Sequence, residues 1–370
     1  MRKELKMKKI KKLWPAVICC ALALMLCNVG NVFASGGFTP PDGKRLTSLK
    51  EYSIAPGITE QHITTVDSKG SNQVQGYAAT VDLSKSTGIL AGYKDYDTSG
   101  KWGLQTVRDQ AAAAQKKTDK NIVVAVNGDY FNMSTGEPTG VLVMNGKVVK
   151  GESWEYYFAI TKDGKAEIRN PGDPLDDIKE AVGGPIRLVK DGKIAGDVDK
   201  NAADLMPRNA VGVKADGTVV LFGADGRQAP KSVGLSYYET AQMMLQLGCK
   251  DAIYIDGGGS YTYASKSEGT DELTVKNSPS DGIERKVSST IFVYSDAKST
   301  GEFDHASISP YNEVYTPGST VEFKALGVDS AGGKAVLPSN VKYALKDPDM
   351  GTISDDGVFK ASEKTGTVEI

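Results

Sequence analysis

Ile122-Val123-Val124-Ala125-Val126-Asn127-Gly128-Asp129-Tyr130-Phe131 runs a short apolar, mostly β-branched stretch straight into a carboxylate beside a glycine. Ile253-Tyr254-Ile255-Asp256-Gly257-Gly258-Gly259-Ser260 repeats the design farther along the chain. Apolar runs of this length, closed by glycine, read as buried strands. A buried strand fixes the position of the residues just beyond its end, and glycine lets a ligand approach the backbone closely while turning N–H groups towards it. A lone Asp-Gly is ordinarily only a turn. Two such strand ends in one domain make Asp129 and Asp256 the leading functional candidates.

Each strand is preceded by a helix pattern. Leu104, Val107, Ala111 and Ala114 repeat at helical spacing across 103–117. Ser236-Tyr237-Tyr238-Glu239 is a capping-box sequence, continued by Ala241, Met244 and Leu245 and stopped by Gly248. Four turns, at Asn145-Gly146, Asp163-Gly164, Asp191-Gly192 and Asp216-Gly217, sit between apolar runs. Such dipeptides take up positive φ at low cost, as tight hairpins demand. The expected fold class is therefore α/β (α+β): a mixed, largely antiparallel sheet, with helix–strand pairs placing the two carboxylates.

Residues 1–34 read as a secretory signal peptide: seven basic side chains precede an apolar stretch from about Val17 to Cys27, and Val32-Phe33-Ala34 supplies small residues for cleavage. The apolar run is too short for a permanent membrane span, so a secreted, extracellular or cell-wall associated protein is expected. Removing it leaves 37 of 44 basic and 45 of 46 acidic residues, a formal charge of −8 that disfavours nucleic acid as a partner. Three of the four cysteines lie in that segment, so Cys249 stands alone and reads as a small buried hydrophobe. The remaining length exceeds one core. Residues 35–50, rich in Gly, Pro and charge, read as a flexible lead-in, 51–298 as the main domain, and 305–370 as a β-sandwich. Short alternating strands are expected there at 306–309, 320–326, 341–345, 351–354 and 358–361. The chain ends at 366–370 in mid-strand by this reading, so the last strand is expected to be missing and the sandwich incomplete.

Histidine chemistry is set aside, because His62 and His305 lie near no motif and a Ser-His-Asp or zinc site lacks its members. Acid–base work falls to carboxylates: Asp129, Asp256 and Glu137, the last on a loop eight residues beyond Asp129 that could fold back over a pocket. Arg208 stands just before the strand-like 210–213, where its planar fork suits a phosphate, and Gly257, Gly258 and Gly259 could form an anion-binding nest. Tyr130, Phe131, Tyr261 and Tyr263 could stack on a sugar ring or simply pack the core. Asn127, Asp129, Glu137 and Asp256 are hard oxygen donors of the kind Ca or Mg takes, although no loop spacing is diagnostic and the reading requires no cofactor.

Val126-Asn127-Gly128-Asp129-Tyr130-Phe131, Pro138-Thr139-Gly140, Gly183-Gly184-Pro185, Arg208-Asn209-Ala210-Val211-Gly212 and Ile255-Asp256-Gly257-Gly258-Gly259-Ser260 resemble, in this order, the motifs of the phosphodiester glycosidase family. The similarity spans roughly residues 75–295. It implies hydrolysis of a sugar 1-phosphodiester, such as N-acetylglucosamine-1-phosphodiester, to free sugar and phosphomonoester. Asn127, Gly128, Arg208, Asn209, Gly257, Gly258, Gly259 and Ser260 are then expected to bind substrate, for which a cell-wall glycopolymer is one source. The family commonly has a hydroxylated residue where this chain has Asn209. The segment 305–370 resembles bacterial immunoglobulin-like domains in Tyr315-Thr316-Pro317-Gly318-Ser319-Thr320-Val321 and in Gly351-Thr352-Ile353-Ser354. Two other readings use the same pocket: a non-catalytic surface module that binds an anionic glycan, and a metal-dependent phosphodiesterase.

Overall fold

A computed structural model describes residues 38–196, 198–311 and 313–370. The signal peptide expected at 1–34 lies outside the described residues. The main domain is built from three sheets. An eight-stranded sheet runs in the order Lys44–Ala55, Ile58–Asp67, Gln73–Val81, Val219–Ala224, Arg208–Lys214, Cys249–Ile255, Ile186–Lys190, Lys193–Ile194. One five-stranded sheet is Lys147–Lys150, Leu142–Met144, Ile178–Gly184, Tyr156–Thr161, Ala166–Arg169, and the other is Thr274–Val275, Tyr263–Ser265, Asn121–Asn127, Thr290–Ser295, Thr87–Gly92. Among the described residues every strand pair is antiparallel.

All four expected turns close hairpins. Asn145 (φ 49°) with Gly146 (φ 76°), and Asp191 (φ 50°) with Gly192 (φ 72°), put two successive residues at positive φ, the type I′ arrangement that matches strand twist. Among the described residues helix is confined to Val107–Thr118, Tyr237–Gln246 and short 3₁₀ turns, a smaller share than an α/β label implies. The first helix starts four residues later than its apolar spacing suggests. Thr106 caps it through Asp109 N–H, and Gln105 before the cap bonds to Val287 instead. The second carries the full Ser236/Glu239 capping box.

One expectation is corrected. Residues 44–50, placed in the flexible lead-in, are the first half of Lys44–Ala55, paired with Ile58–Asp67 on both sides of a bulge at Thr47. A long antiparallel partner decides the conformation here, against a local Gly/Pro-rich composition.

Period-two alternation builds the layers. Ile253 and Ile255 join Val124, Leu142, Phe158 and Ile291 in one core shared by all three sheets. Ala252 and Tyr254 face the other way, onto Met244 of the second helix. The first helix covers Ile122, Ala125 and Phe292 on the outer face of its own sheet. Asp256 therefore emerges on the Tyr254 side of its strand. Residues 305–370 form two three-stranded antiparallel sheets, Lys324–Val328 and Val358–Ala361 being their central strands. The strand expected at 341–345 has no ladder; Tyr343 Oη instead accepts the Ala325 N–H at 2.8 Å.

The two motif strands end against each other although they lie in different sheets. Asp256 N–H donates to Gly128 O at 2.9 Å, and Asn127 Nδ2 donates to Asp256 O at 2.7 Å. Asn209 Nδ2, from the neighbouring strand, donates to Asn127 O (2.9 Å) and Oδ1 (3.0 Å). Replacing Asn209 by Ala removes these buried bonds, although Asn127 Oδ1 keeps the Thr262 N–H (3.1 Å), and costs about 1–3 kcal/mol. Urea unfolding of Asn209→Ala is expected to show that loss, and Asn209→Asp a larger one, because it adds an unpaired buried charge.

Candidate active site

A cavity of about 370 Å³ opens where the eight-stranded sheet ends, lined among others by Tyr130, Arg208, Tyr254, Asp256 and Gly257–259. Asp256 is 7% exposed. Burial pushes its carboxyl up to about 7, against a hydrogen bond with Ser260 and the charge of Arg285 that pull it down. It is thus poised to hold or release a proton near neutrality.

Three guanidiniums line the same cavity: Arg208, Arg227 and Arg285, of which Arg285 acts on the acid. Arg208 is only 2% exposed and largely committed to the fold. Its Nε donates to Leu235 O (2.8 Å), its Nη2 to Asp204 O (2.6 Å), and its plane stacks 3.8 Å from the Tyr237 ring centroid. Arg285 is held by Asp281 at 2.6 Å and reaches Ser260 Oγ at 3.3 Å. The glycines have a further use beyond turning N–H groups outward. A methyl carbon on Gly259 would fall 2.0 Å from Arg285 Nη2, one on Gly258 3.5 Å from Arg227 Nη2, and one on Gly257 2.5 Å from Tyr254 Oη. Bare α-carbons therefore form the bed on which two arginines lie. Gly258 N–H is taken by Pro207 O at 2.9 Å and so is not offered to a ligand.

Asp129 stands behind this cavity and does not line it. It is 1% exposed, and its oxygens accept the N–H groups of Tyr130 (2.7 Å) and Gly140. Its neighbour is Glu155. A methyl carbon on Gly140 would lie 2.7 Å from both Asp129 Oδ2 and Glu155 Oε2, so the two oxygens sit side by side over that glycine. Glu155 Oε2 is buried with no donor among the described residues, and a proton held between the two carboxyls would satisfy it. Burial, and then the Glu155 charge, raise Asp129 well above the usual carboxylate range; burial raises Glu155 as well. Two proton-exchanging centres thus flank the junction of the motif strands: Asp256 in the cavity and the Asp129–Glu155 pair beside it.

The other sequence candidates divide clearly. Asn127 and Asn209 are buried in the inter-sheet bonds and support the site from beneath. Gly128 packs against Ser289 and Val182, and buried Ser260 contacts Arg285. Glu137 pairs with Lys150 at 2.9 Å, away from the cavity. Of the four aromatic candidates only Tyr130 lines the cavity; Tyr261 and Tyr263 are core residues, and Phe131 packs beside the first helix. The hard donors do not assemble, since the Asn127 amide oxygen is taken by Asn209 and Thr262 and Glu137 by Lys150. Cys249 is buried, its thiol pushed up to about 12 by burial, as an inert core residue should be. Sequence reasoning missed Glu155, Arg227 and Arg285. The only local signal was turn chemistry, Asp225-Gly226-Arg227 and Asp281-Gly282, which marks a loop without saying where it points.

Residues 120–294 match the family model described as phosphodiester glycosidase. The chain is 28% identical over 214 residues to the N-acetylglucosamine-1-phosphodiester alpha-N-acetylglucosaminidase of Mus musculus, covering 51% of this chain and 40% of that protein. It is 30% identical over 214 residues to the SPbeta prophage-derived uncharacterized protein YomE of Bacillus subtilis, covering 54% of this chain and 32% of that protein. The chain thus spans less than half the length of these relatives. The zebrafish N-acetylglucosamine-1-phosphodiester alpha-N-acetylglucosaminidase catalytic domain shares its fold, with a TM-score of 0.51 at 22% identity over 68% of this chain and 88% of that one. The segment that matches the phosphodiester glycosidase model, residues 120–294, carries both strand-end carboxylates.

Proposed function

We propose that the main domain, 51–298, hydrolyses a sugar 1-phosphodiester, with N-acetylglucosamine-1-phosphodiester as the first candidate, to free sugar and phosphomonoester. The observation that carries this reading is a cavity in which three arginines surround one buried carboxyl of raised pKa. A phosphomonoester is a good leaving group, so the reaction needs neutralisation of negative charge more than full protonation. The arginines supply that charge. Asp256 gives its proton to the bridging oxygen as the bond from that oxygen to the sugar carbon breaks. Water adds its hydroxyl to that carbon, and its proton passes through further water towards the Asp129–Glu155 pair behind the cavity. Glu137 would serve through Lys150, whose ammonium also bonds Pro138 O (2.5 Å) and so ties down the loop leading to Gly140. We also take 305–370 as an immunoglobulin-like module that spaces or attaches an exported enzyme, with cell-wall glycopolymers as the natural polymeric substrate.

The methyl diester of N-acetylglucosamine-1-phosphate is the direct test. Wild type is expected to release free sugar, and in isotopically labelled water the label should enter the sugar, not the phosphate. Asp256→Asn should lower turnover by roughly 10²–10⁴-fold while keeping binding. Binding without turnover by wild type across a panel of diesters would favour a glycan-binding module, and turnover abolished by a chelator a metal-dependent phosphodiesterase.

Asp256 also sets a stability signature. Its folded-state pKa lies above the unfolded one, so its contribution is fully present below about pH 4 and is lost as pH rises to about 7. Glu180, also raised to about 7, and Asp225, raised to about 6, act in the same window. The difference between wild type and Asp256→Asn isolates the Asp256 part. Urea unfolding should find the variant close to wild type at pH 4 and more stable at pH 7.5, by up to about 4 kcal/mol.

A further inference from the structure

The three arginines of the cavity are not equivalent. Arg208 is committed to carbonyls and an aromatic ring, and Arg285 to Asp281. Arg227 has no carboxylate partner among the described residues; its one recorded polar contact is Nε to the Met206 sulfur at 3.2 Å. Its guanidinium lies over Gly258, the centre of the glycine run, and is exposed to solvent. The acid nearest in sequence, Asp225, is turned away and bound to Asn277 Nδ2 (3.0 Å) and Ser278 N (2.9 Å).

The backbone there is costly. Arg227 has φ +61°, a left-handed conformation that a long side chain rarely adopts. Gly226, one residue earlier, is glycine for another reason: a methyl carbon there would fall 2.5 Å from Pro207 N. The loop thus keeps a glycine where packing requires one and an arginine where the backbone would prefer one. Strain retained at a cavity wall, on a side chain without a structural partner, points to function. The loop is also rigid at its base. Asp225 bonds Asn277 and Ser278, and Gln228 exchanges bonds with Ser278 on both sides (2.7 and 2.9 Å), so the loops carrying Arg227 and Arg285 are stapled to each other.

We infer that Arg227 is the specificity-determining residue of the site, the guanidinium that meets the phosphoryl group and separates phosphodiester sugars from uncharged glycosides. The inference rests on the glycosidase reading for its substrate but not for its ligand, because any phosphate dianion or diester offers the same planar pair of oxygens. Arg208 and Arg285 supply fixed background charge; Arg227 supplies the bond not already made.

The test uses the full chain and inorganic phosphate. Phosphate should raise the thermal midpoint of wild type, and Arg227→Gln should lose that shift, with the dissociation constant for phosphate raised at least tenfold. Arg227→Gly separates function from folding: its urea midpoint in phosphate-free buffer should equal or exceed that of wild type, while the phosphate shift is lost. On the sugar phosphodiester, Arg227→Gln should raise KM at least tenfold with a much smaller change in kcat. A wild type that phosphate does not stabilise, an Arg227→Gln that keeps the shift, or an Arg227→Gly that unfolds more readily overturns the assignment. Phosphate binding through Arg227 without turnover would leave this inference standing and remove the glycosidase reading; turnover with an unchanged KM in Arg227→Gln would do the reverse.

Discussion

Two side-chain amides hold the site together. Asn127 closes a strand of one sheet, Asn209 opens a strand of another, and both donate to the Asp256 carbonyl at the end of a third strand (2.7 and 3.3 Å). Strands within a sheet are registered by their ladder, but separate sheets have no such ruler. Their relative position must come from side-chain packing, which tolerates slippage, or from directed bonds, which do not. Here the bonds fall at the point where the chain leaves both sheets. Asp256 stands at that junction and Asp129 two residues past it. Little freedom is left for either carboxyl to drift.

That placement has an electrostatic consequence. Burying Asp256 raises its pKa, whereas three arginines in the same cavity wall favour a fully ionised carboxylate. Burial wins: of the three, only Arg285 pulls the carboxyl down, and its charge is already shared with Asp281. The cavity can therefore be cationic towards a ligand and still keep a protonatable acid within it. A phosphate entering such a site meets positive charge without meeting a competing anion at full strength. The Asp129–Glu155 pair reaches the same end differently, since two adjacent carboxyls retain a shared proton.

Much of the frame was legible in the chain. The apolar runs at 122–126 and 253–255, the Asn-Gly and Asp-Gly turns and the Ser236/Glu239 cap each depend on neighbours within a few residues, and local chemistry decides them. Arg208, Asp256 and the glycines reach one cavity because strand ends position them. Glu155, Arg227 and Arg285 were not legible, since each sits on a loop whose direction is set by contacts 15 to 50 residues away, such as Gly140 to Glu155 or Gln228 to Ser278. The strand over residues 44–50 was hidden for a related reason: its partner, not its composition, makes it a strand. Asn127 and Asn209 stood out in the sequence, but their bonds to each other and to the Asp256 carbonyl did not; amides suited to bind a sugar are equally suited to bind a backbone.

The C-terminal sheets show how the remaining segment can be attached without disturbing this arrangement. Lys50 bonds Glu313 (2.7 Å), Tyr52 packs on Tyr311 (ring centroids 5.4 Å apart), and Gly332 lies so close to Ile54 O that a methyl carbon there would fall 2.5 Å away. Residues 50, 52 and 54 alternate along one strand and so point to one face of it. The attachment therefore uses a face of the outermost strand of the eight-stranded sheet, with Gly269 N–H to Gly332 O (3.1 Å) as a second tie. The cavity lies at the end of strands in the interior of that sheet, and none of these contact residues lines it. Cover on a face of this outermost strand leaves the mouth of the site to its ligand.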